Sequence, residues 1–402
     1  MDTLQVRVYN VLFGDAILVS VPDRDANGKM KTRHILIDVG NVLPESKGGA
    51  DEVFKPVIKN ILEVLDGQPL DLYVMTHEHL DHIQGLPYAE SKFYKKSEGQ
   101  LRNQFKTECA WLTASSAGDY YDKHPEAKKQ HVKFANAYAG IDRFLKSRVT
   151  LGESIPKEIA TLWTNNNPRK TTDCLKYLRG LSEKTCYMYR GFDAQKAQPF
   201  REAKIEIWGP EENTADYYGR FQAQPLALGD AMSPEEDKKK TAPVKLIPPS
   251  GVDAGAFYDL VDMRTNTFES LLTIDQAAND TSVVFSLEWR GYRLLFPGDA
   301  EDRSWRKMDQ AGVLKPVHFL KVSHHGSCTG TPEPELLNKI LPVKAQDEKP
   351  RYAAVSTCLG SQYHGVPDDD TLNLIRRRCD KLYGTNEDTK NPGEYFDITF
   401  EA

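Results

Sequence analysis

The hydrophobic residues of the first 75 positions fall into short runs that predict strands. Residues 4–11 alternate between apolar and polar positions with a period of two, and residues 16–21 form a more continuous apolar strand. Residues 34–40 add a third strand, which ends in Asp-Val-Gly. Apolar residues then recur at helical spacing over 53–65, and the short apolar run at 70–75 predicts a buried strand.

The same kind of pattern returns late in the chain. Apolar runs at 282–287 and 292–296 predict two strands joined by a turn. Two further runs, at 317–322 and 352–356, predict two more strands, and the strand at 352–356 is expected to be the last of the chain. A helix is expected after the strand at 292–296, and another is expected to begin at Asp369. Strand–helix–strand units in both parts of the chain predict an α/β fold with two sheets covered by helices.

The middle of the chain has a different character. Residues 91–210 are mostly polar with helical spacing, and 211–277 are rich in proline, glycine and charge. We expect a single domain over 1–402, with core halves at about 1–90 and 279–390. On this interpretation the segment 91–210 is a basic, mostly helical insertion. The segment 211–277 is an irregular, loop-rich insertion.

Composition excludes several classes of protein. Hydrophobic residues make up 40% and charged residues 27% of the 402 positions, as in ordinary globular proteins. No apolar run approaches the roughly 20 residues of a membrane-spanning helix, so we expect no membrane association. Residues 1–6 lack the basic and apolar blocks of a secretory signal, and we expect a cytoplasmic protein. The six cysteines include no Cys-x-x-Cys pair, which argues against a zinc finger.

Charge is distributed unevenly along the chain. The formal net charge is −6, which argues against coating by nucleic acid over the whole surface. Residues 91–210 nevertheless contain 22 Lys and Arg against 13 Asp and Glu, a net charge of +9. A basic segment on an acidic chain suggests an anionic partner near that segment. A solvated helical surface explains the same counts.

Four side chains of the kinds that bind metals fall within six residues. His77, His79, Asp81 and His82 follow the predicted buried strand at 70–75. Side chains two positions apart beyond a strand point the same way, so His77 and His79 can hold one ion. Asp81 and His82 lie past the bend and can hold a second. Imidazole and carboxylate ligands suit first-row divalent metals.

The His-x-His-x-Asp-His sequence at 77–82 resembles the signature of the metallo-β-lactamase fold, an αβ/βα four-layer sandwich found in hydrolases and nucleases. Three further segments resemble motifs of that family. Asp38, in Ile-Asp-Val-Gly, is implied to support the metal ligands through hydrogen bonds. Asp299, in Phe-Pro-Gly-Asp, is implied to bridge both ions. In Val-Ser-His-His-Gly, His325 is implied to be the last ligand of the second ion, with His324 as the alternative or as a supporting neighbour.

A closer resemblance is to the soluble metallo-β-lactamase-like domain of DNA-uptake competence proteins. It covers residues 4–90 and 279–390. We expect no counterpart of the membrane channel of those proteins within these 402 residues. The matching stretches are 14–18, 81–87, 320–327, 355–356 and 363–365.

One motif departs from the family. Most members have a histidine shortly before the strand at 282–287, where this chain has Ala-Asn-Asp-Thr-Ser. The competence-like branch tends to have Asn at this place. Asn279 or Asp280 would be a harder and weaker ligand than imidazole, so manganese or magnesium becomes a rival to zinc. His124 and His131 replace the missing histidine only if the helical insertion folds over the site.

The resemblance implies two divalent ions, zinc or manganese, with magnesium as an alternative. As a hypothesis, a hydroxide shared by the two metals attacks the substrate. Asp81, Asn279 and His364 are the candidate catalytic residues. His364 is a candidate to protonate the leaving oxygen or to bind the scissile phosphate. An ordinary loop histidine is the alternative.

Phosphodiester cleavage is the favoured chemistry, with nucleic acid or another phosphodiester as substrate. The basic segment 91–210 can follow a phosphate backbone. Trp111, Trp163, Tyr120 and Tyr121 either stack on bases or pack in the core. A rival hypothesis is a small-molecule hydrolase acting on a lactone, phosphoester or cyclic nucleotide. A third is a metal-binding partner or effector module without turnover. Protein partners and oligomeric state are not predicted.

Overall fold

The computed structural model describes residues 2–42, 50–94, 101–218, 266–344, 349–358 and 365–402. The strands, in chain order, are β1 (Thr3–Tyr9), β2 (Ala16–Arg24), β3 (Met30–Val39), β4 (Leu72–Val74), β5 (Cys109–Thr113), β6 (Thr185–Met188), β7 (Lys204–Gly209), β8 (Val284–Trp289), β9 (Tyr292–Phe296), β10 (Phe319–Lys321), β11 (Tyr352–Val355), β12 (Lys381–Gly384) and β13 (Tyr395–Glu401). The helices are α1 (Ala50–Leu65), α2 (Leu80–Ile83), α3 (Gly85–Phe93), α4 (Leu101–Phe105), α5 (Tyr120–Lys123), α6 (Pro125–Thr150), α7 (Lys157–Asn165), α8 (Pro168–Arg179), α9 (Phe268–Asn279), α10 (Asp302–Gln310), α11 (Pro334–Ile340), α12 (Asp369–Arg376) and α13 (Thr385–Asp388).

These strands form two sheets. The first has the order β13-β1-β2-β3-β4-β5-β6 and the second the order β12-β11-β10-β9-β8-β7. In the first sheet, β13 to β3 pair antiparallel and β3 to β6 pair parallel. In the second, β12 to β9 pair parallel and β9 to β7 antiparallel. The expected α/β fold with two sheets is confirmed.

The sheets share an apolar core, and each has helices on its outer face. Val6 and Ile35 of the first sheet belong to the same buried cluster as Phe285 and Phe319 of the second. Strand residues that alternate with these face outward and are covered by helices. On the first sheet, α1 packs there through residues such as Phe54. On the second sheet, α10 and α11 pack in the same way. The layers are therefore helix, sheet, sheet and helix.

The segment 91–210 is mostly helical, as its spacing predicts, but it is not purely an insertion. It contributes β5 and β6 to the edge of the first sheet and β7 to the edge of the second. The sequence analysis did not predict β5 or β6. All five residues of β5 are buried, so it has no polar alternation, and β6 is only 4 residues long.

Three further elements correct the prediction. Helix α9 lies in and just after the segment 211–277, which was expected to be irregular. Its buried residues include Asp275 and Asn279, so its sequence lacks a clean apolar stripe. Strands β12 and β13 both follow 352–356, which was expected to be the last strand; β12 pairs with β11 and β13 with β1. Residues 219–265 lie outside the described residues. Within the described part of the chain, no helix has the length and apolarity needed to cross a membrane.

Candidate metal centre

The ends of three strands carry the candidate ligands. Residues 77–82 follow β4 and run into the short helix α2. Asp299 lies three residues after β9, and His325 lies four residues after β10. The carboxyl ends of parallel strands are where α/β proteins place their sites, because polar groups there need not interrupt the sheet. The fold therefore brings together residues that are more than 200 positions apart in the sequence.

Asp81, His82, Asp299 and His325 form the first group, which we call group A. Their ligand atoms all lie within 4.8 Å of one another, and all four side chains are buried. Nε2 of His325 lies 3.3 Å from Oδ2 of Asp81 and 3.3 Å from Oδ2 of Asp299. Nε2 of His82 lies 3.3 Å from Oδ2 of Asp299. Two imidazoles and two carboxylates thus converge on one point.

Four buried nitrogen and oxygen atoms, one from each side chain of group A, lack hydrogen bonds among the described residues. They are Oδ1 of Asp81, Nε2 of His82, Oδ1 of Asp299 and Nε2 of His325. A buried polar atom without a partner costs about 1–3 kcal/mol, so four together in a native core need an explanation. A divalent cation bound among them would satisfy all four. The mixed nitrogen and oxygen donor set suits zinc and manganese.

The outward nitrogens of the group A imidazoles are already bonded. Nδ1 of His82 lies 2.8 Å from Oδ2 of Asp38. Asp38 also accepts hydrogen bonds from the backbone N–H and the hydroxyl of Thr76, at 2.8 and 2.6 Å. Nδ1 of His325 lies 3.0 Å from the carbonyl oxygen of Ser356 and donates to it. These contacts fix both rings with Nε2 facing the other ligands. Asp38 therefore lies where a supporting residue is expected.

Electrostatics in group A favour positive charge between the carboxylates. Burial disfavours the charged imidazole of His325, yet Asp299 and Asp81 together raise its pKa to about 10. Burial also disfavours the charged form of Asp299, but the imidazoles of His82 and His325 hold its pKa well below the ordinary value. The carboxylates therefore remain ionised and stabilise a cation at this point.

His77, His79 and Asp81 form the second group, group B. Nε2 of His77 lies 3.0 Å from Nδ1 of His79. Burial, with the neighbouring imidazoles, lowers the pKa of His77 well below its ordinary value, so His77 is neutral, the form that binds metals. Asp81 belongs to both groups. Asp299, which the resemblance assigns to both ions, belongs to group A only.

Two residues that the sequence analysis missed contact His79 on its far side. Nε2 of His79 lies 3.0 Å from Oδ1 of Asn166, just after α7, and 3.5 Å from Oδ1 of Asp275 in α9. Asn166 also donates to Asp275 at 2.8 Å. The preceding residue, Asn165, accepts a hydrogen bond from the backbone N–H of Asp81. No motif marks these residues, because their place follows from how the helices pack.

Asn279 and Asp280, the two candidates to take the place of the missing histidine, belong to neither group A nor group B. The side-chain amide of Asn279 donates to Glu301 at 2.9 Å and to Asp275 at 3.3 Å. Its Oδ1 is buried without a hydrogen-bond partner among the described residues. Oδ1 of Asp280 instead accepts a hydrogen bond from the hydroxyl of Ser304. The carboxylate of Asp280 is therefore held by α10 and lies outside both groups.

His324 and His325 occupy an unusual backbone conformation. Their φ angles are 45° and 53°, in the left-handed region that residues other than glycine rarely adopt. Such strain persists where the surrounding structure enforces it and often marks a functional site. The conformation directs His325 into group A. His324 lies outside both groups, with Nδ1 3.1 Å from Oε1 of Glu301.

Other candidates lie apart from the two groups. His364 is outside the described residues. His131 stacks on Tyr121, the ring of His124 lies beside that of Tyr120, and neither histidine belongs to group A or group B. The aromatic residues proposed to stack on bases make internal contacts instead. Trp111 is buried in the core, Trp163 donates to Asp142, and Tyr120 is bonded to Thr214.

A cavity of about 560 Å³ adjoins the metal centre. Asp275, which contacts His79, and His324, which precedes His325, belong to its lining. We call it the Phe268 cavity. The described lining residues are Glu158, Ile159, Leu162, Phe268, Leu272, Asp275, Gln276, Glu301, His324, Ser327, Thr329 and Val366.

Comparisons with known proteins give little overlap. No protein-family model matches the sequence, and no curated protein matches it. Among solved structures, the chain is similar in part to the crystal structure of a long form RNase Z from yeast. The matched residues are 17% identical and cover 28% of this chain and 14% of the yeast chain, with a TM-score of 0.17. The match spans about a seventh of the yeast protein.

Proposed function

We propose that this chain is a metal-dependent phosphodiesterase with the metallo-β-lactamase fold. The observation that carries the proposal is group A, in which ligand atoms of Asp81, His82, Asp299 and His325 lie within 4.8 Å of one another in the core. Each of these side chains also has a buried atom without a hydrogen bond among the described residues. Group B lies next to it and shares Asp81. A pair of adjacent metal positions with a shared carboxylate is typical of two-metal hydrolases.

The architecture supports the same proposal. Two sheets with helices on both outer faces form four layers, and the candidate ligands lie at the carboxyl ends of strands from both sheets. This arrangement agrees with the αβ/βα sandwich that the sequence motifs imply. Residues of both sequence halves are needed to complete group A.

The chain's own residues have separable tasks in this proposal. Group A and group B would each hold one divalent ion, zinc or manganese, with magnesium as an alternative. When bound, such ions activate water and neutralise charge on the oxygens of the substrate. Asp38 and Ser356 orient the imidazoles of group A, and Asn166 and Asp275 orient His79. The buried surroundings strengthen every one of these electrostatic contacts.

Nucleic acid is the substrate that we favour, because the segment 91–210 has a net charge of +9. A small phosphodiester is the second candidate. One observation favours it: the described lining of the Phe268 cavity includes three carboxylates, of Glu158, Asp275 and Glu301, but no Lys or Arg. A cavity of this kind repels a polyanionic backbone and admits an uncharged group.

A panel of substrates tests the proposal. Full-length protein is treated with EDTA and then supplied with Mn²⁺ or Zn²⁺. It is incubated with single- and double-stranded DNA, RNA, bis(p-nitrophenyl) phosphate and a lactone. Metal-dependent cleavage of a phosphodiester is expected, and polymer cleavage that weakens at higher salt identifies nucleic acid. Cleavage of the small ester alone identifies the second candidate.

A matched pair of variants assigns the activity to group A. Asp299→Asn should lower phosphodiester hydrolysis by about a hundredfold or more, since it removes a charged ligand that stabilises the ion. Asp309→Asn, a similar change on the outer surface of α10, should leave the rate unchanged. Bound metal without cleavage of any substrate would instead support a metal-binding module and contradict the proposal.

A further inference from the structure

The Phe268 cavity lies between two helices that present apolar side chains. Ile159 and Leu162 come from α7, and Phe268 and Leu272 come from α9. Ile159 and Leu162 are buried, whereas Phe268 and Leu272 are partly exposed. At about 560 Å³ the cavity is within the range of small-molecule sites, roughly 300–1,000 Å³. Its walls favour a flat, apolar group.

Three of the seven polar side chains in the described lining are carboxylates, which accept hydrogen bonds when ionised. Asp275 and Glu301 are both buried, with 2% and 5% of their surface exposed. Oε1 of Glu301 contacts Asn279 and His324, whereas Oε2 has no hydrogen-bond partner among the described residues. Since this carboxylate oxygen has spare accepting capacity, it favours a ligand that brings an N–H donor.

The cavity is also placed beside the bonds that the metal centre would act on. Asp275 lies 3.5 Å from Nε2 of His79, a member of group B, and His324 directly precedes His325 of group A. A group seated in the cavity would therefore be a neighbour of the scissile bond. The described lining has three carboxylates, one imidazole and no Lys or Arg, which disfavours a phosphate as that group.

We propose that the Phe268 cavity binds a nucleobase-like ring of the substrate, a flat heteroaromatic group whose amino or imino N–H donates to the carboxylates in the lining. The apolar side chains of α7 and α9 contact the faces of the ring. This proposal deepens the proposed phosphodiesterase function and rests on it for the nature of the substrate. It fits both the end of a nucleic acid strand and a small nucleotide.

Binding of nucleosides to metal-free protein tests the proposal without relying on catalysis. Full-length protein in EDTA is titrated with adenosine, guanosine, cytidine, N6,N6-dimethyladenosine, ribose and n-hexanol, and binding is followed by calorimetry or ligand-observed NMR. Adenosine should bind, ribose should not, and loss of the amino donor in the dimethyl compound should weaken binding about tenfold. Absence of binding by all three natural nucleosides would overturn the proposal. So would equal binding of n-hexanol, which would indicate an aliphatic pocket.

Variants locate the binding to the cavity. Leu272→Trp fills the space between the helices and should weaken nucleoside binding about tenfold or more. Leu151→Trp, at a position that is 73% exposed and outside the lining, is the matched control and should bind as the unaltered chain does. If a thermal melt shows that Leu272→Trp is unfolded, Phe268→Ala replaces it, since loss of the aromatic face should also weaken binding. Unchanged binding in a folded variant would place the ring elsewhere and contradict the proposal.

The two proposals fail separately. Nucleoside binding in EDTA does not require bound metal, so a phosphodiesterase that ignores nucleosides overturns the cavity proposal alone. A chain that binds nucleosides in the cavity but cleaves no phosphodiester with any metal overturns the proposed function alone.

Discussion

Nζ of Lys321 lies 2.7 Å from Oδ2 of Asp15, and both side chains are almost completely buried. Lys321 is the last residue of β10 in the second sheet, and Asp15 immediately precedes β2 in the first. The backbone N–H of Asp15 also donates to the carbonyl oxygen of Asp81. This ion pair therefore links the two sheets directly behind the metal centre.

Removal of the lysine charge should destabilise the fold. Lys321→Met leaves the carboxylate of Asp15 buried without its partner, which typically costs about 3–5 kcal/mol in the free energy of unfolding. Urea unfolding measures this change. Lys339→Met, in an exposed pair with Asp309, should change the free energy by less than about 1 kcal/mol. Equal effects of the two substitutions would show that the buried pair does not stabilise the junction.

Asp38 should control metal affinity without touching the metal. Asp38→Asn keeps the side-chain shape but removes the charge that orients His82 through Nδ1. Loss of such a contact typically weakens metal binding about 10–100-fold. Titration of Zn²⁺ against a competing chelator measures the change, with Asp302→Asn in α10 as the control. Unchanged affinity in Asp38→Asn would mean that His82 is held by its packing alone.

Asp275 should affect group B selectively. Asp275→Asn removes the negative charge that lies 3.5 Å from Nε2 of His79. It should lower the affinity for one of the two ions about tenfold. Its sequence neighbour supplies a control, since Gln276→Ala changes an exposed side chain outside both groups. Two-site metal titration distinguishes the outcomes. An equal loss of affinity for both ions would argue that Asp275 acts on the fold as a whole.

Asp280 should make stability depend on pH. Burial raises the pKa of its carboxyl to about 6, above the ordinary value of 3.8. Because the folded state holds this proton more tightly than the unfolded state, stability should fall as the pH rises from about 4 to about 6. At neutral pH, Asp280→Asn should therefore stabilise the chain, by about 1–3 kcal/mol, and at pH 4 it should have little effect. A variant that is less stable at both pH values would refute this assignment.

The sequence revealed those parts of the site that are local or carry a motif. His77, His79, Asp81 and His82 stand together after a buried strand, so their proximity followed from the chain itself. Asp299 and His325 were found only through resemblance to family motifs. Their approach to Asp81 depends on the packing of one sheet on the other, and no local pattern encodes it.

The remaining features could not be predicted because tertiary packing determines them. Asn166 and Asp275 are ordinary polar residues of the long middle segments until α7 and α9 place them beside His79. Strand β5 is fully buried and therefore shows no alternation. Strand β13 does alternate, with Phe396, Ile398 and Phe400 buried, and this signal was present in the sequence but overlooked.

In the proposed centre, two metal ions bind on either side of Asp81. Crystals of the full-length chain grown with Mn²⁺ and measured near the manganese absorption edge locate such ions directly by their anomalous scattering. One peak is predicted among Asp81, His82, Asp299 and His325, and a second beside His77 and His79. A map from a folded protein with no peak at either position would contradict the presence of a two-metal centre.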